Sequence, residues 1–314
     1  MEYRQLGASG VRVSTIGLGT NRFGSPSVTQ EDVNAFIDTA LDAGVNFIDT
    51  SNSYQGTRSE ALLGNALRGR RDRFVVATKF FFPTGQGPND RGTSRYHLMG
   101  ALDESLLRLQ SDHVDLYYVH RWDETTPIQE TVRALDDLIR QGKVRYIGAS
   151  DFAAWQLAHA NLLAEMQGWT AFVVIQSQYH MFERGVEREL LPYCRAYGVG
   201  FVPYYPLAGG FLTGKYKEGE NAPPGSRGES NSYVQKYMVP HYYAKVRRLE
   251  SWARDHGHDL NELAHAWLLA QPQVCSVISG ATRLDQVTEN LRAADWQLGA
   301  ADLDEISAIL DGEK

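Results

Sequence analysis

Phe74-Val75-Val76-Ala77-Thr78-Lys79 opens on four apolar residues with no polar position among them. A strand with one wet face alternates apolar and polar side chains, whereas a strand covered on both faces need not. The run reads as a parallel strand clothed by helices. Short runs of this kind stand on both sides of it: 16–19 and 46–49 before, then 114–120, 144–150, 173–176, 200–204 and 276–279 after.

Helical patterns fill the intervals. Val33, Phe36, Ile37, Ala40 and Leu41 fall on one helical stripe; Leu98, Leu102, Leu106 and Leu109 fall on another. Thr126-Pro127-Ile128-Gln129 predicts a helix start, with Thr126 as N-cap, Pro127 in the first turn and Gln129 closing a capping box; Gly142 marks where that helix stops. Eight strands alternating with helices predict an α/β fold, a closed (β/α)8 TIM barrel forming a single domain over residues 1–314. A doubly wound open sheet competes, but the barrel explains the missing second half-domain better. Two departures are expected: a small hairpin from 3–6 and 11–14 around Gly7-Ala8-Ser9-Gly10, and a long loop after strand seven, 207–240, holding Gly209-Gly210 and Pro223-Pro224-Gly225.

Composition narrows the partners. The 314 residues are 43% hydrophobic and 22% charged, with a formal net charge of -7, which opposes a nucleic-acid surface. Lys and Arg are scattered, so no membrane-binding basic patch is expected. The most apolar stretch, 199–212, is broken by Pro203, Pro206 and the Gly209-Gly210 pair, which opposes a membrane span. Met1-Glu2-Tyr3-Arg4-Gln5-Leu6 has no apolar core of a signal peptide, and the two cysteines, Cys194 and Cys275, read as buried thiols of a cytoplasmic protein.

In such a barrel, function gathers at the C-terminal ends of the strands. Those positions hold Asp49, Lys79, His120, Ser150, Gln176 and Tyr204, with Tyr54 just past the second strand. The set suits proton transfer. A phenol titrates near pH 10; a neighbouring ammonium such as Lys79 favours phenolate, and Asp49 can hold that ammonium in place. A neutral His120 can orient a substrate oxygen. No thiol or serine nucleophile with its base is in view, and no His-x-His stands on the first strand, so a hydrolase on a similar barrel is disfavoured. His256-Gly257-His258 reads as a helix end, and no metal site is expected.

Gly44-Val45-Asn46-Phe47-Ile48-Asp49-Thr50-Ser51, followed by Tyr54, Gly56, Arg58-Ser59-Glu60 and Leu63-Gly64, resembles the aldo-keto reductase signature. Ala77-Thr78-Lys79, Asp115-Leu116-Tyr117-Tyr118-Val119-His120 and Gly142-Lys143-Val144-Arg145-Tyr146-Ile147-Gly148-Ala149-Ser150 resemble its further motifs, in the same order. The resemblance runs from Leu6 to about Leu310. It implies NADPH-dependent interconversion of a carbonyl and an alcohol by the tetrad Asp49, Tyr54, Lys79 and His120, with Tyr54 as acid in reduction and base in oxidation.

The resemblance also implies an NADP(H) site without a Gly-x-Gly-x-x-Gly turn. Ser150, Asp151 and Gln176 would meet the carboxamide, and Tyr204 would stack on the nicotinamide. Tyr205, Pro206, Leu207, Gly209, Lys215 and Arg227 would line the diphosphate. Gly280, Thr282 and Arg283 would take the 2′-phosphate, where a helix start favours anions, and Gln286, Glu289 and Asn290 the adenine. Gly19, Thr20, Asn21 and Asp49 complete the set. Phe80-Phe81-Phe82 and Trp122 follow catalytic strand ends, which predicts a substrate pocket of Phe23, Tyr54, Phe80, His120 and Trp122.

Many relatives carry Ser-Asn where this chain has Ser150-Asp151, and an ionised Asp151 cannot donate through its side chain. Around 204–215 and 280–290 the chain is similar to the potassium-channel β-subunit branch, whose members share the barrel and cofactor site yet serve as accessory or redox-sensing subunits. The expected partner is a small carbonyl or alcohol, and a homo-oligomer is compatible with the sequence.

Overall fold

The computed structural model describes residues 1–312. Eight parallel strands form the barrel sheet: β3 (Ile16–Gly19), β4 (Phe47–Asp49), β5 (Val75–Phe80), β6 (Val114–Val119), β7 (Val144–Ser150), β8 (Val174–Gln178), β9 (Gly200–Tyr204) and β10 (Val277–Gly280). β10 pairs with β3. Phe201 N donates to Gln273 O at 2.8 Å and Cys275 N to Phe201 O at 2.9 Å, so the lead-in to β10 joins β9 and brings the ring together.

The helices lie outside. They are α1 (Gln30–Asp42), α2 (Arg58–Ala66), α3 (Arg95–Leu109), α4 (Ile128–Arg140), α5 (Ala154–Gln167) and α6 (Leu190–Tyr197). Then come α7 (Ser232–Gln235), α8 (Pro240–Asp255), α9 (Leu260–Leu269), α10 (Leu284–Arg292) and α11 (Ala300–Asp311). The barrel-covering helices turn apolar stripes inward, as Val33, Phe36, Ile37 and Ala40 do on α1, whereas α11 packs on α8. Thr29 caps that helix by accepting from Asp32 N while Asp32 accepts from Thr29 N at 2.8 Å. No described helix is long and apolar enough to cross a membrane.

A hairpin, β1 (Tyr3–Gln5) with β2 (Arg12–Ser14), closes the N-terminal end. Its Leu6 and Val13 are fully buried among Phe47, Leu116, Val174, Val202 and Ile278 of the barrel interior. Burying such side chains contributes about 1.5–3 kcal/mol each. Gly7, at φ 60°, makes the fit possible: a Cβ there would lie 2.2 Å from Val173 O.

The predicted strands all form, with ends moved by one or two residues. Two local expectations need correction. α4 starts at Ile128 with Pro127 at the N-cap and no side-chain cap, and Thr126, one residue earlier, donates its hydroxyl to Asp123 Oδ2 at 2.9 Å. The stretch after β9 is a folded strap, with 3-10 turns at Ala208–Thr213 and Arg227–Glu229 and the helix α7.

Candidate active site

Consecutive strands deliver the polar cluster. Asp49 ends β4, Lys79 is the penultimate residue of β5, and His120 follows β6. Alternation along β5 turns Lys79 inward and Phe80 outward. Tyr54 comes from the loop before α2, where Gln55, Gly56 and Thr57 take φ of 51°, 61° and 74°. Three successive left-handed residues, two of them with side chains, double the chain back sharply. Gln55 Nε2 holds that turn by donating to Asn21 O at 2.8 Å.

The Lys79 ammonium uses all three of its donors: Asp49 Oδ2 at 2.5 Å, Thr50 O at 2.9 Å and Tyr54 Oη at 3.2 Å. Since the phenol oxygen accepts from Lys79, its own proton is free for another partner. Asp49 Oδ1 accepts from Gln176 Nε2 at 2.9 Å. The His120 ring stands edge-on to Tyr54, centroids 6.0 Å apart, with Nδ1 3.3 Å from Ser51 Oγ.

Burial dominates the electrostatics. It pulls the Lys79 ammonium down while Asp49 resists. Burial, then Asp49, pushes the Tyr54 phenol well above its usual value. The expectation that Lys79 would lower it is therefore corrected: burial, then the Asp49 carboxylate, sets the direction, and the resting phenol is protonated. Burial, Lys79 and Arg121 push His120 well below the ordinary histidine range, so it is neutral near pH 7. The cluster can hold a proton on Tyr54, receive the phenolate that follows its transfer, and offer a neutral imidazole beside it.

The predicted substrate pocket also changes. Phe80 is fully buried outside the barrel, stacked on Tyr117 at 4.7 Å, and Phe23 is fully buried against Phe36 at 5.9 Å. Both point into the barrel–helix layer. Phe82 is the aromatic beside His120, edge-on at 4.8 Å, with the Arg121 guanidinium 5.9 Å above its ring. Trp122 rests on Phe152 at 5.1 Å and Trp155 at 5.8 Å.

The residues assigned to a dinucleotide gather along the same end of the barrel. β3 and β10 pair Gly19 with Gly280, which sets Asn21 against Gly280. Thr20 is fully buried, with its hydroxyl 2.9 Å from Ser59 Oγ. Ser150 ends β7 and pairs in register with Gln176, the third residue of β8, and Tyr204 ends β9. Tyr205 and Ala208, with Pro206 and Leu207 between them, take left-handed φ of 58° and 50°, and Gly209 and Gly210 follow at 69° and 101°. The Lys215 ammonium lies within 3.0 Å of the space a Cβ on Gly210 would fill. Arg227 covers the Tyr205 ring at 5.4 Å. Neither Lys215 nor Arg227 has a carboxylate partner among the described residues, which fits an anionic diphosphate.

Further along, Thr282 donates through N and Oγ1 to Gln286 Oε1, at 2.9 and 3.2 Å. Arg283 is exposed and paired with Asp285 at 2.9 Å, and Glu289 is exposed near it. Asn290 is buried on Asn261 at 3.3 Å, so its Oδ1 meets the core and not the surface.

Sequence reading missed several participants. Glu60, buried, accepts from Thr78 at 2.5 Å and Arg108 at 2.7 Å, locking α2 and α3 onto β5. Tyr233 of the strap stacks near Tyr205 at 5.2 Å and meets His180 Nε2 at 2.8 Å and the Gln178 amide. Arg121 flanks His120, which was named, and that neighbourhood was the available signal; Phe82 stood in the aromatic run already quoted but outside the five pocket residues.

Comparison with known proteins agrees with this architecture. The profile of the Aldo/keto reductase family matches residues 15–311. A probable voltage-gated potassium channel subunit beta of Oryza sativa is 40% identical over 302 residues, 94% of this chain and 92% of that protein. An Arabidopsis thaliana protein described in the same words is 39% identical, with 94% and 92% covered. The uncharacterized oxidoreductase YrpG of Bacillus subtilis is 35% identical over 325 residues, 99% of this chain and 97% of that protein. With the barrel, the ordered motifs and these matches in agreement, the chain belongs to the aldo/keto reductase family.

Proposed function

We propose that the protein is an NADPH-dependent reductase of aldehydes or ketones, running reversibly to the alcohol. The observation that carries this reading is the Lys79 ammonium shared between Asp49 and Tyr54, at 2.5 and 3.2 Å, in a buried site. Bound NADPH supplies the hydride. Tyr54 gives its proton to the carbonyl oxygen as negative charge develops there. The three-donor grip of Lys79 then steadies the phenolate, and Asp49, fixed by Gln176, keeps the ammonium aimed. His120, neutral and turned to Ser51 through Nδ1, has Nε2 left to orient the substrate oxygen. Lys215, Arg227 and the strap would hold the diphosphate, and Thr282 and Arg283 the 2′-phosphate. Two buried free thiols, Cys194 and Cys275, support a reducing compartment, the cytoplasm; burial pushes Cys194 up to about 12.

NADPH consumption with a panel of aldehydes tests the reading. Tyr54→Phe should keep NADPH affinity while turnover falls by about 10²–10⁴. Near-wild-type turnover would remove Tyr54 from the reaction. A second reading, an NADP-binding accessory or redox-sensing subunit, is supported by the names of the 40% and 39% identical plant relatives. Tight NADPH binding without turnover on any aldehyde would favour it.

A further inference from the structure

One carboxylate at the barrel mouth is not accounted for by the reaction. Asp151 follows β7 with φ 52°, and its backbone N–H is fixed on Gln176 O at 2.9 Å. From there its side chain reaches past the end of β8 to β9, where the Tyr204 hydroxyl donates to both carboxylate oxygens, 3.1 Å from each. On the other side Arg121 Nη2 lies 3.5 Å from Oδ2. The Asp151 side chain is 22% exposed and that of Arg121 54%. The negative end of the pair therefore faces the protein and the positive end faces solvent.

We propose that Asp151, acting through and beside Tyr204, biases the site toward the oxidised nicotinamide, with Arg121 moderating that bias. The inference rests on the functional reading above, in which Tyr204 faces the nicotinamide. The oxidised ring carries a positive charge and the reduced ring carries none. A carboxylate shielded from water favours the cation far more than it would in bulk solvent. The hydroxyl's hydrogen bond to that carboxylate also makes the phenol ring richer in electrons, and an electron-rich ring attracts a cation more strongly. Both effects have the same sign. An amide at 151 would keep an acceptor for Tyr204 but lose the charge. Asp151 is thus a positioning residue with an electrostatic consequence, and it transfers no proton.

The test compares dissociation constants of NADP+ and NADPH, measured by quenching of intrinsic fluorescence, for wild type, Asp151→Asn and Arg121→Gln. Whatever an amide at 151 adds to both nucleotides alike through the carboxamide, Asp151→Asn should raise the ratio of the NADP+ to the NADPH dissociation constant by roughly three- to tenfold. Arg121→Gln, a change at a half-exposed side chain, should move the ratio the opposite way, tightening NADP+ by about two- to threefold. A purely structural role would shift both nucleotides together in each variant, and that result would overturn the inference even if carbonyl reduction persists. If wild type takes up neither nucleotide, the functional reading falls first and this inference falls with it.

Discussion

Gln176 Nε2 lies 2.9 Å from Asp49 Oδ1 although the two residues are 127 positions apart in the chain. The contact splits the Asp49 carboxylate between an amide and the Lys79 ammonium, so neither oxygen is left unpaired by the protein. Gln176, expected to meet a carboxamide, also anchors the acid that aims Lys79. Gln176→Leu should therefore do more than weaken nucleotide binding. It leaves one buried carboxylate oxygen without its donor, a loss of about 1–3 kcal/mol. The variant's unfolding midpoint in urea should fall, and unchanged stability would show that Asp49 does not depend on it.

Lys79→Met strands the Asp49 carboxylate. Breaking a buried pair from one side costs about 3–5 kcal/mol, so the variant should be clearly less stable. Where it still folds, the phenol loses the ammonium 3.2 Å from its oxygen, and the limb that governs alcohol oxidation should move to higher pH. The pH–rate profile of oxidation and a denaturation curve read these two effects separately. An unmoved limb would take Lys79 out of proton handling.

Acid should destabilise the fold through buried histidines. His180 is lowered to about 3 and His265 to about 4, both by burial, and His120 is lowered well below its usual value. Each stays neutral in the fold while the unfolded chain takes up a proton below about pH 6.5, so stability falls as pH drops through that value. At pH 5 His180 and His265 each cost roughly 2 kcal/mol relative to pH 8, and His120 acts in the same direction. Urea midpoints at pH 8, 6.5 and 5 should decrease in order, and a flat series would contradict the neutral assignments.

Arg283 is held by Asp285 on the surface, at 2.9 Å. A 2′-phosphate must compete with that carboxylate. Arg283→Ala should weaken NADPH and leave NADH nearly unchanged, since charge-assisted hydrogen bonds contribute about 1.5–3 kcal/mol. Asp285→Asn should do the reverse and tighten NADPH. Fluorescence titrations with both nucleotides decide the matter, and equal changes for the two would show that Arg283 supports the loop only.

Period and position in the chain carried most of the fold. Short, mostly apolar runs located all eight barrel strands, because covered parallel strands need no strict alternation, and Gly7 with its flanks announced the hairpin. The reading failed where side-chain direction decides. Phe80 is the last residue of β5 and Phe82 lies two beyond it; strand alternation sends Phe80 into the helix layer, whereas the loop that follows brings Phe82 to His120. The sign of the Tyr54 shift was equally hidden, since desolvation depends on the whole surrounding volume and not on a neighbour in the motif. The strap read as a loop because its order comes from Tyr233 meeting His180 and Gln178, a contact between distant segments.

The hairpin plug has a kinetic meaning. With Leu6 and Val13 sealing one end, the barrel is a cul-de-sac, and whatever meets Tyr54 must arrive and depart by the same doorway. On the proposed function a nucleotide and a carbonyl would share that one threshold, so the order of their arrival becomes a property that product-inhibition kinetics can read.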